Sequence, residues 1–412
     1  MVPPFFSTTI SGSQNDEIIG ITSTKKNWIV AGNVVGDFLG TTPLGPLDPL
    51  DPLDPLGGID SWVTAFDSAG GNVWSLRVGT SEDDVATAIA VDSKEQIWIA
   101  GLAQSAENPT TLLSPDSSSA SAEPQPIQSN QTPTVQTLNP DTVTAQIVKP
   151  IRKDLKFVTV TQIDKNGVLL NRFAIALNNF GYVTAIIPGG TVVYLIGIEI
   201  TKTGGERSFL QSLTSAGEFG TKFYFGKSAT TLASGVLNKD KTLTLVGHSA
   251  EVLAKKPVIG KVDGIILNVS PTDGKILKSV RSNGVGATRA WRSAAGNLTV
   301  GGTSVTKNLT EAVISQFSST GSVLWSKRYV GATAAVNNSS AVAVLTTQTN
   351  ALLKAKAGDV VVYQFDKKGD PTLGGRIPLS AEILGLRSQS GLGTCVATRA
   401  ADGTFVLTQL PF

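Results

Sequence analysis

Short apolar runs separated by clusters of Gly, Asp, Ser and Asn set the rhythm of this chain, most clearly over residues 57–103. There WVTAF at 62–66 is turned by Asp67-Ser68-Ala69-Gly70-Gly71, VWSLRV at 73–78 by the acidic stretch 81–84, and VATAIAV at 85–91 by 92–96, before IWIAG at 97–101 ends the set. Each run has strand length, is rich in β-branched and aromatic residues and is bounded by turn formers; none is long enough for a helix. The unit expected is four consecutive antiparallel strands.

The unit recurs. Its first turn returns as IDKNGVLL at 163–170, LTSAGEF at 213–219, VSPTDGKIL at 269–277, FSSTGSVLW at 317–325 and FDKKGD at 365–370. Its fourth run returns as WIVAGN at 28–33, VYLIGI at 193–198, LTLVGH at 243–248 and LTVGGT at 298–303, and the Gly near its end is the most regular mark. With two long inserts set aside, about 330 residues remain for seven copies of about 47 each, the period of propeller blades. The expected fold is all-β: a seven-bladed β-propeller of four-stranded antiparallel blades, one domain over residues 1–412. FFSTTISGSQND at 5–16 aligns with 73–84, the last strand of a unit, and FVLTQL at 405–410 is a third strand with no partner after it. The N-terminal strand is therefore expected to close the ring by completing the C-terminal blade, because closure removes an unpaired edge.

The stretch 84–92 (DVATAIAVD), IWIAG at 97–101, FDSAGGNVWS at 66–75 and FSSTGSVLWS at 317–326 resemble the bacterial seven-bladed β-propeller repeat family, the SBBP repeat. The likeness is strong in the first two copies and around Phe317. A fainter resemblance is to pyrroloquinoline-quinone-type propellers, whose blades carry a similar turn-Gly-Trp motif. The first likeness implies a repeat module without a catalytic role; the second implies a quinone-type oxidoreductase. The vicinal cysteines common in the second group are missing.

Low-complexity inserts interrupt the repeat at 33–58 and 103–156. The first contains PLGPLDPLDPLDPLG, with period three, so a polyproline II helix would align Leu47, Leu50 and Leu53 on one edge and Asp48, Asp51 and Asp54 on another. At about 3.1 Å rise those Asp lie about 9 Å apart, too far to gather around one calcium ion. A linker, a strut resting on the propeller and a ligand for a partner all remain open. The second insert is rich in Ser, Pro, Gln and Thr, with 143–151 able to add a short strand. Naming the strands of a blade a to d outward from the axis, both inserts fall between b and c. Shorter insertions are expected at the same point at 199–207, 249–262 and 304–310. The b–c loops and d–a links share one face, so that face is expected to make the contacts.

Composition narrows the functional classes. The 412 residues carry 34 Lys and Arg against 32 Asp and Glu, with no basic run interleaved with aromatics, so nucleic acid is not an expected partner. No stretch approaches a membrane span and no signal segment is evident, so an extracellular or cell-surface location would require targeting residues outside this sequence. One cysteine, Cys395, lies in an apolar run and reads as a core residue. The single histidine, His248, cannot build a common zinc site, so no metal and no cofactor is expected. No G-x-S-x-G elbow or D-x-D-x-D-G loop occurs, and no catalytic residue is assigned. The carboxylate-bearing pairs Asn15-Asp16 and Asp83-Asp84 read as turn caps. Trp291, in a strand a, is the aromatic expected to line the axial channel. The candidate contact residues are thus Leu47, Leu50, Leu53, Asp48, Asp51, Asp54, His248 and Trp291. The function expected is a non-catalytic binding or structural module meeting protein or glycan at a bacterial cell surface. The alternative is a propeller enzyme, a polysaccharide hydrolase or lyase or a quinone-type oxidoreductase.

Overall fold

The computed structural model describes residues 4–10, 16–35, 59–80, 82–107, 110–114, 154–307 and 309–412, and every regular element among them is a β-strand. The chain opens with β1 (Phe6–Ile10), β2 (Glu17–Ser23), β3 (Trp28–Val34), β4 (Asp60–Phe66) and β5 (Asn72–Gly79). It continues through β6 (Asp84–Val91), β7 (Ile97–Ala103), β8 (Thr110–Ser114), β9 (Phe157–Ile163) and β10 (Leu169–Ala176). Next come β11 (Gly181–Pro188), β12 (Val192–Ile200), β13 (Glu206–Thr214) and β14 (Phe223–Phe225), then β15 (Thr230–Leu237), β16 (Leu243–Ser249), β17 (Asp263–Val269) and β18 (Ile276–Ser282). Then follow β19 (Thr288–Ala294), β20 (Thr299–Thr306), β21 (Leu309–Phe317), β22 (Val323–Val336), β23 (Val342–Thr346), β24 (Val360–Phe365) and β25 (Pro371–Ile377). The last three are β26 (Ser380–Gln389), β27 (Gly393–Ala400) and β28 (Phe405–Leu410).

These strands form a β-propeller of antiparallel four-stranded blades. Four sheets have four strands each: β6-β7-β9-β10, β11 to β14, β15 to β18, and β26-β27-β28-β1. The sheet β2 to β5 takes β8 as a fifth strand outside β5, and β19 to β25 form one seven-stranded sheet. Within that sheet β22 pairs with β21 up to Val330 and with β23 from Gly331 onward, so one 14-residue strand serves two antiparallel ladders. The first strands of successive sheets touch in series: β2 meets both β6 and β26, β6 meets β11, β11 meets β15, and β15 meets β19. β1 pairs with β28 in continuous register, Phe6 opposite Gln409 through Ile10 opposite Phe405.

The recurrent Gly of strand b has a steric cause. Strand a bulges in each sheet: the register slips between Ile18 and Gly20, Ala86 and Ala88, Val183 and Ala185, and Leu232 and Ser234. A bulge leaves two residues facing one and bends the strand. The bend drives a carbonyl of strand a onto the Cα opposite. A Cβ on Gly32 would lie 1.7 Å from the Glu17 oxygen, and one on Gly247 would lie 1.9 Å from the Thr231 oxygen. Only Gly tolerates that approach. The ladder groups freed by the bulge are taken up by the preceding blade: Asn33 accepts from the Ala86 amide and donates to its carbonyl, and Ser208 Oγ accepts from the Leu232 amide and donates to the Thr230 carbonyl. Backbone strain at one strand is thereby converted into a stitch between blades.

The apolar core lies between sheets. Ile29, Val63, Trp74 and Leu76 pack with Ala86, Ile97 and Ile99 of the next sheet. Trp28 and Trp62 pack with Ile10, Cys395, Phe405 and Leu407 of the last. The tryptophan N–H groups reach across as well: Trp28 donates to Gln409 at 2.7 Å and Trp74 to the Lys165 carbonyl at 3.1 Å. Cys395 is fully buried, and burial pushes its thiol well up.

Two expectations about loops are corrected. No long insertion occupies 304–310, since β20 runs to Thr306, β21 starts at Leu309 and those two residues are paired. A b–c loop that the sequence pattern did not mark runs from 347 to 359. The loop has no mark because β23 ends on Thr346 instead of Gly, and because β22 runs through the preceding link as one strand with only the lone Gly331 at the junction.

Candidate functional site

Antiparallel order puts b–c loops and d–a links at the same end of each blade, and hydrogen bonds between them confirm it. Asp84 N donates to Ile59 O, Glu206 N to Ser228 O, Lys261 N to Ala287 O, and Ser380 N to Gly358 O. The sequence inserts open from this end, from β3 to β4 and from β7 to β9. The second insert turns outward first: β8 runs along the outside of β5, Ser114 opposite Ser75 through Thr110 opposite Gly79.

Strand ends at this face are built around acid–arginine pairs. Asp60 at the start of β4 meets Arg77 of β5 at 3.0 Å, and Asp263 at the start of β17 meets Arg281 of β18 at 3.0 Å. Glu311 with Arg328 and Asp359 with Arg376 repeat the arrangement at 3.6 and 3.7 Å. Each acid pairs diagonally with the arginine opposite the residue two places on, a same-face cross-strand contact. The partners are 17 residues apart in the first pair and 18 in the second. Burial alone would raise the Asp263 carboxyl, but the Gly260 and Ile259 amides, Arg281 and Asn283 together hold it below the usual range. Glu251 is likewise raised by burial and held down overall, by Thr230 Oγ1 and the amides of Lys227, Ala229 and Ser228. These carboxylates are fastening groups.

Asp83 and Asp84 also act as caps. Asp83 accepts from the Ile59 amide at 2.6 Å, and Asp84 accepts from the Thr80 amide and hydroxyl at 2.6 and 2.8 Å. Asp84 further binds Arg172 of β10 at 2.6 Å, both side chains buried, beside an enclosed cavity of about 10 Å³. Desolvation raises the Asp84 carboxyl although Arg172 and Thr80 pull it down.

A different constellation faces the axis. Glu17 of β2 and Glu382 of β26 occupy equivalent places, immediately before the bulge of strand a, in two touching sheets. Asn33 donates to Glu17 at 3.3 Å, and Arg399 lies 3.7 Å from Glu382. Glu382 still meets water, but the protein walls around it partly desolvate its carboxyl and raise it; Arg399 and Arg292 offset part of the rise, and Glu17 adds to it. Arg292, from the bulge of β19, is enclosed enough that desolvation draws it down to about 10, against the pull of Glu382. Glu17 and Arg292, on the first strands of two other sheets, are thus near enough for their charges to act on Glu382.

The residues singled out in the sequence fare differently. Leu47, Leu50, Leu53, Asp48, Asp51 and Asp54, with the possible strand at 143–151, lie outside the described residues. His248 is half-buried in the second strand of its sheet, opposite Thr231 on one side and Gly264 on the other. Trp291 does not line a channel: it is fully buried. It stands opposite Gly302, its ring lies against Gly264 of the neighbouring sheet, and it packs edge-on to Phe317 at 6.2 Å. The alternation of strand a turns it into the space those glycines leave, while Arg292 next to it takes the bulge. Glu17, Glu382 and Arg292 were missed, and their only trace in the sequence is a charge placed just before or within an otherwise apolar strand a. Among the described residues no group of three His, Cys, Asp or Glu is placed to hold a metal. No helix there is long and apolar enough to cross a membrane.

The fold defines a class, the β-propellers, and the comparisons do not reach beyond it. No family model and no curated protein matches the chain. Among solved structures, quinohemoprotein alcohol dehydrogenases from Comamonas testosteroni and Pseudomonas putida HK5 are similar over 99% of this chain and 76% of theirs, at 8% and 9% identity and TM-scores of 0.44 and 0.45. A glucose dehydrogenase is similar over 62% of this chain and 93% of its own, at 9% identity and TM-score 0.40. A Bacteroides caccae protein of unknown function is similar over 59% and 80%, at 9% identity and TM-score 0.36. Likeness at this level assigns no cofactor or reaction to this chain.

Proposed function

We propose that the chain is one seven-bladed propeller, closed by β1 in its last blade and working as a non-catalytic binding or structural module. The seven-blade count treats the seven-stranded sheet as two blades sharing β22. Closure is supported by contacts from the last blade to the first: Phe6 of β1 lies against Gly70, and Ser23 Oγ donates to Gln389. The partner is a protein or a glycan at a bacterial cell surface, met by the face that carries both inserts. The observation that carries this reading is the placement of the chain's irregular length. The inserts and the loops 250–262 and 347–359 all open at one end of the blades, while the other end keeps tight turns. The acidic groups at that end are tied to arginines and backbone amides, which suits a scaffold for loops.

The test is deletion of residues 36–58 and replacement of 115–153 by a Gly-Ser linker long enough to return from Ser114 to Asp154, which spares β8. The shortened chain should keep its circular dichroism and melting behaviour and lose its glycan-array and pull-down partners. Loss of folding, or partners kept unchanged, would overturn the reading.

One observation favours a second reading. Glu17 and Glu382 stand at equivalent places on two touching innermost strands, and the raised Glu382 suits a general acid. A polysaccharide panel decides: turnover abolished by Glu382→Gln would make the protein a carbohydrate-active enzyme.

A further inference from the structure

The two ends of the blades differ in what their tips expose. At the a–b and c–d end the tips are Gly, Ser, Asn, Asp, Lys and Ala, as at 68–70, 239–241, 296–297, 338–340 and 366–369. At the insert-bearing end, large aliphatic side chains stand in water. Val285 is 93% exposed, Leu352 80%, Leu379 74% and Val252 66%. Val252 and Leu352 are on b–c loops, and Val285 and Leu379 are on d–a links. The four most exposed aliphatics of the described chain thus gather on the loops and links of one end, while at the other Leu324 reaches 60% and Val168 51%, beside the starts of outer strands.

Exposed charge at this end leans towards lysine. Lys227, Lys255, Lys307, Lys354 and Lys356 are exposed on the same loops and links. The acids beside them are spent: Glu251 on the amides of 227–229, Asp263 on Arg281, Glu311 on Arg328 and Asp359 on Arg376. Among the described residues at this end, Glu82, Glu107, Asp402 and the axial Glu382 are the exposed acids.

We propose that this face docks on an anionic lipid surface, the lysines meeting headgroups and Val252, Val285, Leu352 and Leu379 entering the acyl boundary. Cationic charge with projecting aliphatics matches an anionic interface in both terms. The aliphatics stand on separate loops, Val285 between Gly284 and Gly286, Leu352 two residues from Lys354 and Val252 three from Lys255. A folded protein partner would need a separate pocket for each; a fluid interface accepts them where they stand. A soluble polyanion would use the lysines and leave the aliphatics idle. The inference rests on the insert-bearing face being the working face, but it places the contact on the tips beside the inserts and not on the inserts themselves.

Vesicle co-sedimentation of the full chain tests it, with phosphatidylcholine vesicles, the same vesicles containing phosphatidylglycerol, and heparin as a soluble polyanion. The expected result is binding to the anionic vesicles alone, weakened by salt. In the triple variant Val285→Ser, Leu352→Ser, Leu379→Ser it should fall about tenfold with circular dichroism unchanged. No binding to anionic vesicles overturns the proposal. So does equal binding by the triple variant, or heparin binding unaffected by it with no vesicle binding. The chain lacking 36–58 and 115–153 separates the two readings. Vesicle binding kept while protein and glycan capture is lost supports both. Vesicle binding lost in that chain sinks the lipid docking alone. Vesicle binding kept by a chain that never captured protein or glycan sinks the earlier reading alone.

Discussion

At Gly247 a single hydrogen atom decides whether a blade can form. The Thr231 carbonyl approaches where a Cβ would stand, 1.9 Å away. Gly247→Ala must push two hydrogen-bonded strands apart and is expected to cost about 3 kcal/mol or more. Denaturant unfolding checks this; a midpoint within error of the parent would refute the steric account. Asp263 is the electrostatic counterpart. Replacing it by Asn leaves Arg281 buried without its partner, which should cost about 3–5 kcal/mol at neutral pH. Because its folded-state pKa is depressed, its contribution is present above the unfolded value of about 3.9 and fades as acid titrates the folded carboxylate. The gap between parent and Asp263→Asn should therefore shrink in acid. Glu382 has the opposite sign. Its folded-state pKa is raised, so the protonated form is favoured by folding and the charged form is a burden above that pKa. Glu382→Gln should be at least as stable as the parent at pH 7 and lose that advantage below about pH 4. Stability curves at the two pH values read both outcomes.

At the scale of elements, the apolar runs of two- to three-residue rhythm and their Gly and Asp turns announced nearly every strand. The a-to-d order followed from where the Gly fell. What stayed hidden depended on partners distant in sequence. The bulge in strand a has no residue signature of its own and shows only as the Gly it imposes on strand b. The link between the blades sharing β22 carries a lone Gly331 with no cluster of turn residues around it, so no break is evident in the pattern there. The acid–arginine spacing was present in the sequence, but nothing distinguishes Asp60 and Arg77 from surface charges until β4 and β5 are paired. Trp291 misled because strand a is near the axis while its side chains alternate, and the bulge shifts that alternation by one. β1 supplies an element-level test. Removing residues 1–12 strips five ladder pairs from β28 and exposes the pocket filled by Ile10, itself worth roughly 2 kcal/mol. The melting temperature should drop by several degrees, read by calorimetry. An unchanged value would mean β1 contributes nothing to holding the last blade.

For the whole molecule, the acids and arginines at the strand ends brace one side so that irregular chain can hang from it. Stability and contact are then separable: core and stitch variants should lower melting without changing what the loops meet, and loop variants the reverse. The axial carboxylates belong to neither group. Their shared place in two adjacent blades was legible only once the strands were superposed through their bulges, which is why the sequence offered His248 and Trp291 instead.

Ser7 and Thr408 are hydroxyl partners across 401 positions of chain. A ribosome adding about 5–20 residues each second makes the first of them some 20–80 s before the second exists. For that interval the opening strand has no mate, and the large entropy of joining such distant segments falls due in one late event. Folding of this propeller should accordingly include a slow step that cannot begin until β28 has been made, its rate set by the meeting of β1 with β28.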